Sequence, residues 1–153
     1  MKLSQISTQT KQQVFHSHSW DLTIDEELIL DLVSEARRSK AKKARLCLHK
    51  APEEIMQVTY LAFISPYEDR IHNHPHRAEV LVPILGEAEA RTFDDEGNLL
   101  SNKLMRGKSG EAFSSNLGTW HSLKVKSSEF VMIEIGVGPF RPDSTTFFET
   151  KGR

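Results

Sequence analysis

The chain has 153 residues, of which 38% are apolar and 27% are charged. This length and composition suit one compact domain with a single core, and they leave little room for a second domain. Twenty basic and twenty-one acidic residues give a formal net charge of −1, which excludes the overall basic field by which many proteins attract nucleic acid or an anionic membrane.

Cysteine content and apolar run length limit the class of protein further. Cys47 is the one cysteine in the sequence, which excludes an intrachain disulfide and a structural zinc site built from several cysteines. The sequence contains no run of about 18 apolar residues, and its start lacks an apolar segment of the secretory-signal type. We therefore expect a soluble protein of the reducing cytoplasm, with neither a membrane nor a nucleic acid as partner.

Residues 1–22 are predicted to form an N-terminal arm. They are polar with scattered apolar positions, which indicates an extended segment or an edge strand. His16 and His18 alternate within this arm. Because neither has a partner nearby in the sequence, both are expected at the surface.

Residues 23–44 are predicted to be a helix followed by a basic run, packed on the rest of the domain. Thr23 followed by Glu26 resembles a capping box, and apolar residues then recur at helical spacing, so we expect a helix over about 25–39. Six cations lie within residues 37–45. They can be a solvated helix end that favours the C-terminal dipole, or an anchor for a phosphate or another anionic group.

From residue 45 to residue 153 the sequence has the pattern of β-strands. Segments such as ARLCLHK, MQVTYLAFIS and EFVMIEIGVG are rich in alternating, β-branched and aromatic residues, and FDDEGN has the composition of a turn. Many short strands without a second strong helix or a repeat predict an antiparallel sandwich or barrel. The whole chain is therefore expected to be one all-β domain with an N-terminal α-helix.

The segment RIHNHPHRAEVLVPILG has the most specific chemistry in the chain. His72, His74 and His76 alternate and could share one face of a regular strand. Pro75 interrupts such a strand because it lacks an N–H and biases the preceding residue toward an extended conformation. His76 is therefore predicted to lie in a turn, while Glu79 could return across the hairpin to meet the first two imidazoles.

A second segment, GTWHSLKV, places His121 at the start of a later strand, after a glycine that permits a tight turn. Together the two segments resemble the paired sequence motifs of the cupin superfamily. The matching positions are His72, His74, Glu79 and Gly86 in the first motif, and Gly110, Gly118 and His121 in the second. The chain departs from the usual pattern at Pro66 and Asn116, which are not ligand positions.

The order of segments over most of residues 25–148 is similar to that of WbuC-type cupin fold metalloproteins, small bacterial proteins of which some are associated with O-antigen gene clusters. The segments that carry this resemblance are the helix, the basic run, RLCLH, HPHRAEVLVPILGEAEARTFDDEGN, GTWH and VGPFRPDSTTFF. The resemblance implies a double-stranded β-helix (a jelly-roll barrel), a bacterial cytosolic setting and a homodimer. It brings no firmly assigned reaction.

The same resemblance implies a metal site, with His72, His74, Glu79 and His121 as its ligands. Three neutral imidazoles and one carboxylate suit one divalent transition metal, and the mixed nitrogen and oxygen set does not choose among Fe, Mn, Ni and Zn. Such a set leaves coordination positions open, which is typical of a working site rather than a structural one.

Five further residues are candidates for the chemistry around the metal. Arg45 and His49 share a strand face; if it points inward, Arg45 could bind a substrate anion and His49 could move a proton, and otherwise both lie at the surface. Tyr60 in the next strand and Glu134 are further catalytic candidates. Glu134 could orient a ligand histidine or sit beside plain core, and His76 is a candidate for substrate binding.

Three functions remain open at this point. The first is a metal-dependent enzyme acting on a small polar substrate such as a sugar or sugar derivative, by isomerisation, epimerisation or oxygenation, with the link to polysaccharide biosynthesis resting only on the resemblance. The second is a non-catalytic cupin that binds or senses a small ligand. The third is a structural or assembly protein with an incidental metal.

Overall fold

A computed structural model describes residues 1–149, so the last four residues of the predicted barrel segment, 150–153, lie outside the described residues. The helices in this part are α1 (Leu3–Ile6) and α2 (Glu26–Arg38). The strands are β1 (Ser7–Lys11), β2 (Val14–Ser17), β3 (Lys43–Cys47), β4 (Met56–Ile64), β5 (His72–Asn73), β6 (Glu79–Leu85), β7 (Glu87–Phe93), β8 (Leu99–Arg106), β9 (Phe113–Ser115), β10 (Trp120–Val125), β11 (Glu129–Val137) and β12 (Thr146–Phe147).

The strands described for residues 1–149 form two sheets. The larger has the order β1-β2-β3-β4-β11-β6-β9, and the smaller has the order β12-β5-β10-β7-β8. Neighbouring strands pair antiparallel except β2 and β3, which are parallel. The prediction of an all-β barrel with an N-terminal helix is thus confirmed, and the parallel pair is the one departure from its antiparallel form.

Two apolar cores hold the fold together. The barrel core fills the space between the sheets with side chains of both, since apolar residues alternate along each strand. Its buried residues are Leu61, Phe63, Leu81, Ala88, Ala90, Met105, Leu123, Val125, Phe130 and Met132. The helix-side core lies on the opposite face of the larger sheet, where α2 packs through Leu28, Leu32, Val33 and Ala36 onto Ala44, Leu46, Ala62 and Val131.

Helix α2 begins at an N-cap different from the one predicted. Asp25 is the cap, and its carboxylate accepts a hydrogen bond from the Leu28 N–H at 2.9 Å. The predicted capping box of Thr23 with Glu26 is therefore wrong, and the cap lies two residues later. The carboxylate of Asp25 satisfies a free N–H of the first helical turn as well as a threonine hydroxyl would.

The N-terminal arm is an edge hairpin, which is one of the two forms that the sequence predicted. One turn of helix (α1) leads into β1 and β2, and β2 adds to the larger sheet beside β3. Phe15 anchors this hairpin in the helix-side core. The pairing sets His16 directly beside Cys47, so His16 is half-buried rather than at the surface as predicted.

Gly86, which closes the first cupin-like motif, is required by the tight turn from β6 to β7. Its φ of +74° lies in the left-handed region that favours glycine. A Cβ at this position would also overlap the carbonyl oxygen of Glu129. Any other residue would thus disturb the turn that follows β6, the strand that begins with Glu79.

Candidate metal centre

Three histidines from two separated parts of the chain meet at one end of the barrel. His72 lies in β5, His74 follows that strand, and His121 lies in β10. Because β5 pairs with β10, His72 stands directly opposite His121. One ring nitrogen from each of the three side chains lies within 4.8 Å of the others, so the group could hold a metal ion.

The carboxylate of Glu79 closes this group from the facing sheet. Glu79 is the first residue of β6, and its Oε1 lies 3.2 Å from His74 Nε2 and 3.0 Å from His121 Nε2. Two ligands at about 2.1 Å from one metal, at right angles to each other, are separated by about 3.0 Å. The observed distances fit neighbouring positions around a single ion, and they also fit hydrogen bonds from protonated rings.

Main-chain carbonyls fix a hydrogen on Nδ1 of all three rings. The Nδ1 atoms of His72, His74 and His121 donate to the carbonyl oxygens of Arg70 (2.8 Å), Ser144 (2.9 Å) and Thr119 (2.8 Å) respectively. A carbonyl only accepts, so each Nδ1 carries a hydrogen and each neutral ring keeps its free lone pair on Nε2. Two such lone pairs point at the Glu79 oxygen, an arrangement that requires a cation or added protons between them.

The C-terminal segment holds the histidines from outside, a role that the sequence did not indicate. Besides the Ser144 carbonyl, the Thr145 hydroxyl lies 3.3 Å from His74 Nδ1. Phe147 in β12 pairs with His72 across the strands, with ring centroids 6.1 Å apart. These contacts fix the orientation of both imidazoles, as outer partners of ligands do in metal sites.

Arg77 is a buried member of the site that the sequence reasoning missed. Its Nη2 lies 3.0 Å from Glu79 Oε2 and also contacts Glu134 Oε1. The guanidinium lies over Gly136, where an added Cβ would stand 3.2 Å from it. Two carboxylates thus share one arginine, and this set carries one net negative charge beside the histidines.

The protonation of the group follows from these contacts. Burial raises the pKa of the Glu79 carboxyl, but hydrogen bonds from His121 and His74 outweigh it and hold this pKa far below its usual range. Burial lowers the pKa of His74, and the hydrogen bond and charge of Glu79 more than reverse this. Burial, with the neighbouring His121, lowers the pKa of His72. Glu79 is therefore an anion at neutral pH.

A cavity of about 30 Å³ opens beside the histidines. Its lining residues are Asp69, His72, Glu79, Leu81, Ala90, Phe113, His121, Ser122, Leu123, Met132 and Glu134. Among the described residues the buried Ser122 hydroxyl has no hydrogen-bond partner. A volume of this size accommodates one ion or one water molecule, and a sugar ring does not fit inside it.

Asp69 is a second residue that the sequence reasoning missed. The Tyr67 hydroxyl donates to Asp69 Oδ1 at 2.6 Å, and the Lys43 ammonium lies 3.3 Å from that hydroxyl. Burial, with the charge of Asp69, raises the pKa of Tyr67. The phenol thus remains a hydrogen-bond donor at neutral pH and orients the carboxylate at the cavity wall.

The structure places the other residues predicted from the sequence in different surroundings. Glu134 lines the cavity, but its partner is Arg77 rather than a ligand histidine. Tyr60 packs against the helix-side core, on the opposite face of the sheet. Arg45 is exposed on β3, and His49 is buried beside His16 and Cys47. His76 lies exposed in the turn after Pro75, with its Nε2 3.8 Å from Asp143 Oδ2.

Solved structures share this architecture at low sequence identity. CapF from Staphylococcus aureus, a capsular polysaccharide assembling protein, superposes with a TM-score of 0.60 at 18% identity over 69% of this chain and 29% of its own. The present chain therefore spans less than a third of CapF. KdgF from Halomonas sp. gives a TM-score of 0.53 at 18% identity, over 66% of this chain and 82% of its own.

An uncharacterised protein from Klebsiella pneumoniae with a double-stranded β-helix domain gives a TM-score of 0.56 at 16% identity, over 71% of this chain and 81% of its own. These likenesses confirm the fold as a cupin-type double-stranded β-helix. No helix among residues 1–149 combines the length and the apolar composition needed to cross a membrane.

Comparison at the level of sequence gives one family. No curated protein matches the chain. Residues 24–105, from the start of the helix region through β8, match the family described as a domain of unknown function (DUF6016). Since this match covers more than half of the 153 residues, the protein belongs to the DUF6016 family.

Proposed function

We propose that the protein is a metal-dependent enzyme that acts on a small polar substrate with His72, His74, Glu79 and His121 as the metal ligands. The observation that carries this proposal is that all three rings hold a hydrogen on Nδ1. Each Nδ1 is held by a main-chain carbonyl, and this directs the Nε2 lone pairs of His74 and His121 toward the Glu79 oxygen. A divalent cation bound between these lone pairs and the carboxylate oxygen would remove the repulsion among them.

A divalent transition metal bound there would polarise a coordinated substrate oxygen or activate a coordinated water molecule. Arg77 keeps the Glu79 carboxylate oriented through its other oxygen. Glu134 lines the same cavity with 26% of its side chain exposed, so it is placed to accept a proton from the bound molecule.

The cavity size restricts how a substrate would bind. About 30 Å³ accommodates a coordinating oxygen but not a sugar ring. The body of the substrate would lie outside the cavity, and the exposed His76 is proposed to contact it. Arg45, His49 and Tyr60, which the sequence also suggested, do not line the cavity and are left out of this proposal.

The test is metal analysis followed by turnover. The purified protein should carry about one equivalent of a divalent transition metal that is lost in His121→Ala. The loaded protein should then convert a member of a panel of sugar phosphates, nucleotide sugars and small keto acids, in which sugars are included because CapF assembles a polysaccharide. Glu134→Gln should lower kcat without loss of metal. Saturable binding of a panel member without turnover would instead favour a ligand-binding or sensing cupin, the runner-up function.

We also propose a homodimer. Apolar side chains are exposed on the outer face of the larger sheet beyond the end of α2, and they line a groove of about 410 Å³. The exposed members are Ile55, Met56, Val80, Ile135 and Val137. An apolar patch of this kind suits a self-complementary interface. Val137→Lys should convert a dimer in sedimentation equilibrium to a monomer; an unchanged mass would reject this interface.

A further inference from the structure

A second cluster of ligand-type side chains lies away from the candidate metal centre. His16 in β2, Cys47 at the end of β3 and His49 two residues later each offer one atom within 4.8 Å of the others. Cys47 is 7% exposed and His49 is 5% exposed, while His16 is half-buried. We propose that these three side chains form a second, independent site for a thiophilic transition-metal ion such as Zn(II).

Hydrogen bonds fix both imidazoles as they do in the first centre. His16 Nδ1 donates to the carbonyl oxygen of His49 at 3.1 Å, and His49 Nδ1 donates to the carbonyl oxygen of Val58 at 3.3 Å. The free lone pair of each ring is therefore on Nε2. Anchoring of this type prepares a histidine for a metal, because the hydrogen-bonded Nδ1–H fixes the orientation of the ring.

The thiol determines the class of metal. Two imidazoles with one thiolate suit Zn(II) or Cu(I), whereas Mg(II), Ca(II) and Mn(II) prefer oxygen ligands. Cys47 Sγ accepts a long hydrogen bond from the Thr59 hydroxyl at 3.9 Å, and burial raises the pKa of this thiol. On metal binding the S–H bond breaks, the sulfur binds as thiolate, and its proton passes to solvent.

One cross-strand row joins Glu134, in the wall of the first cavity, to His16 of the second centre. Glu134 faces Thr59, Thr59 faces Cys47, and Cys47 faces His16 on successive neighbouring strands. Three strand spacings correspond to about 14 Å. No ligand is shared, so each centre should fill without the other. Because β2 and β3 are parallel neighbours here, the second ion would pin the N-terminal hairpin to the barrel.

Cobalt(II) is the probe, since a thiolate ligand gives Co(II) a charge-transfer absorption in the near ultraviolet, and Cys47 is the chain's one cysteine. When Co(II) is added to the metal-free protein, this absorption should appear and correspond to one thiolate-bound cobalt per chain. The His121→Ala variant should show the same absorption. Cys47→Ser should abolish the absorption. His16→Gln, at a half-buried position, should weaken cobalt affinity by at least about 10-fold.

His18→Gln is the matched control, because His18 is an exposed histidine of the same hairpin and its substitution should leave cobalt affinity unchanged. Absence of the absorption in the wild-type protein at saturating Co(II) would overturn the proposal. Equal cobalt affinity in the wild type and His16→Gln would do the same. That comparison decides the matter even if Cys47→Ser does not fold.

Discussion

The candidate metal centre and the His16–Cys47–His49 cluster are built from similar parts in different ways. The first takes two histidines from one short segment and one from a strand paired directly with it. It adds a carboxylate that a buried arginine orients. The second takes one histidine from an N-terminal hairpin and has a thiol in place of the carboxylate. The first is therefore suited to a divalent metal with open positions, and the second to a tightly held, thiophilic ion.

The largest expected effect concerns the ligands of the first centre. His121→Ala should remove nearly all metal from that centre, a greater change than the roughly 10–100-fold loss of affinity that follows removal of an outer partner. The retained metal is measured by elemental analysis after dialysis. His76→Ala is the control, since its ring lies exposed in the turn. An equal loss in this control would show that the ligand set is misassigned.

The second expected effect concerns Arg77. Arg77→Met should destabilise the fold by about 3–5 kcal/mol, because it leaves the carboxylates of Glu79 and Glu134 without their shared counter-charge. Urea unfolding of the metal-free protein measures the change. Arg37→Met removes an exposed pair with Glu129 and should cost no more than about 1 kcal/mol. Similar losses of stability in the two variants would mean that the fold depends no more on the buried contacts of Arg77 than on the exposed pair of Arg37.

Metal removal should have an intermediate effect on stability. At a free metal concentration of 100 times Kd the bound ion contributes about 2.7 kcal/mol, so chelation should lower Tm by roughly 5–10 °C. The protein should stay folded, because neither apolar core includes a proposed metal ligand. Circular dichroism with and without a chelator is the measurement. An unfolded metal-free protein at room temperature would instead indicate that the metal is structural.

The smallest expected effect is a pH dependence in the metal-free protein. Glu79 holds the pKa of His74 above its ordinary value despite burial, so folding stabilises the protonated ring. This stabilisation is complete below about pH 6.5, the unfolded value, and is lost as the pH rises through the folded pKa. Relative to His74→Gln, the wild type should therefore lose stability in urea titrations as the pH rises above about 6.5. Parallel pH profiles for the two proteins would contradict the proposed pairing.

The sequence could predict the barrel and much of the first centre because that information is local. Alternating residues in β-strands predicted the sheets, and His72, His74 and Glu79 lie close together in the sequence. The predicted hairpin between their strands is wrong, because β5 and β6 belong to facing sheets. Pro75 lies in the turn between these two strands. His121 was found only through a second motif, since no local spacing connects it to His72.

The remaining features depend on pairings between distant segments. Arg77 and Glu134 are 57 residues apart, and Arg77 was overlooked because a charged residue in a turn sequence is usually exposed. His16 meets Cys47 only because β2 joins the sheet parallel to β3, an arrangement that the composition of the arm did not indicate. Tyr60 fell on the wrong side because the sequence did not reveal which face of β4 the helix covers.

The contact between Arg77 and Gly136 gives the site a searchable signature. Gly136 faces Glu79 across the β11–β6 pair, and a side chain there would crowd the guanidinium. Arg-x-Glu at residues 77–79 and Glu-x-Gly at residues 134–136 are thus two tripeptides that belong together. Cupin barrels whose sequences contain both tripeptides should be those in which an arginine orients the proposed ligand carboxylate. This criterion applies even where overall identity is too low for an alignment.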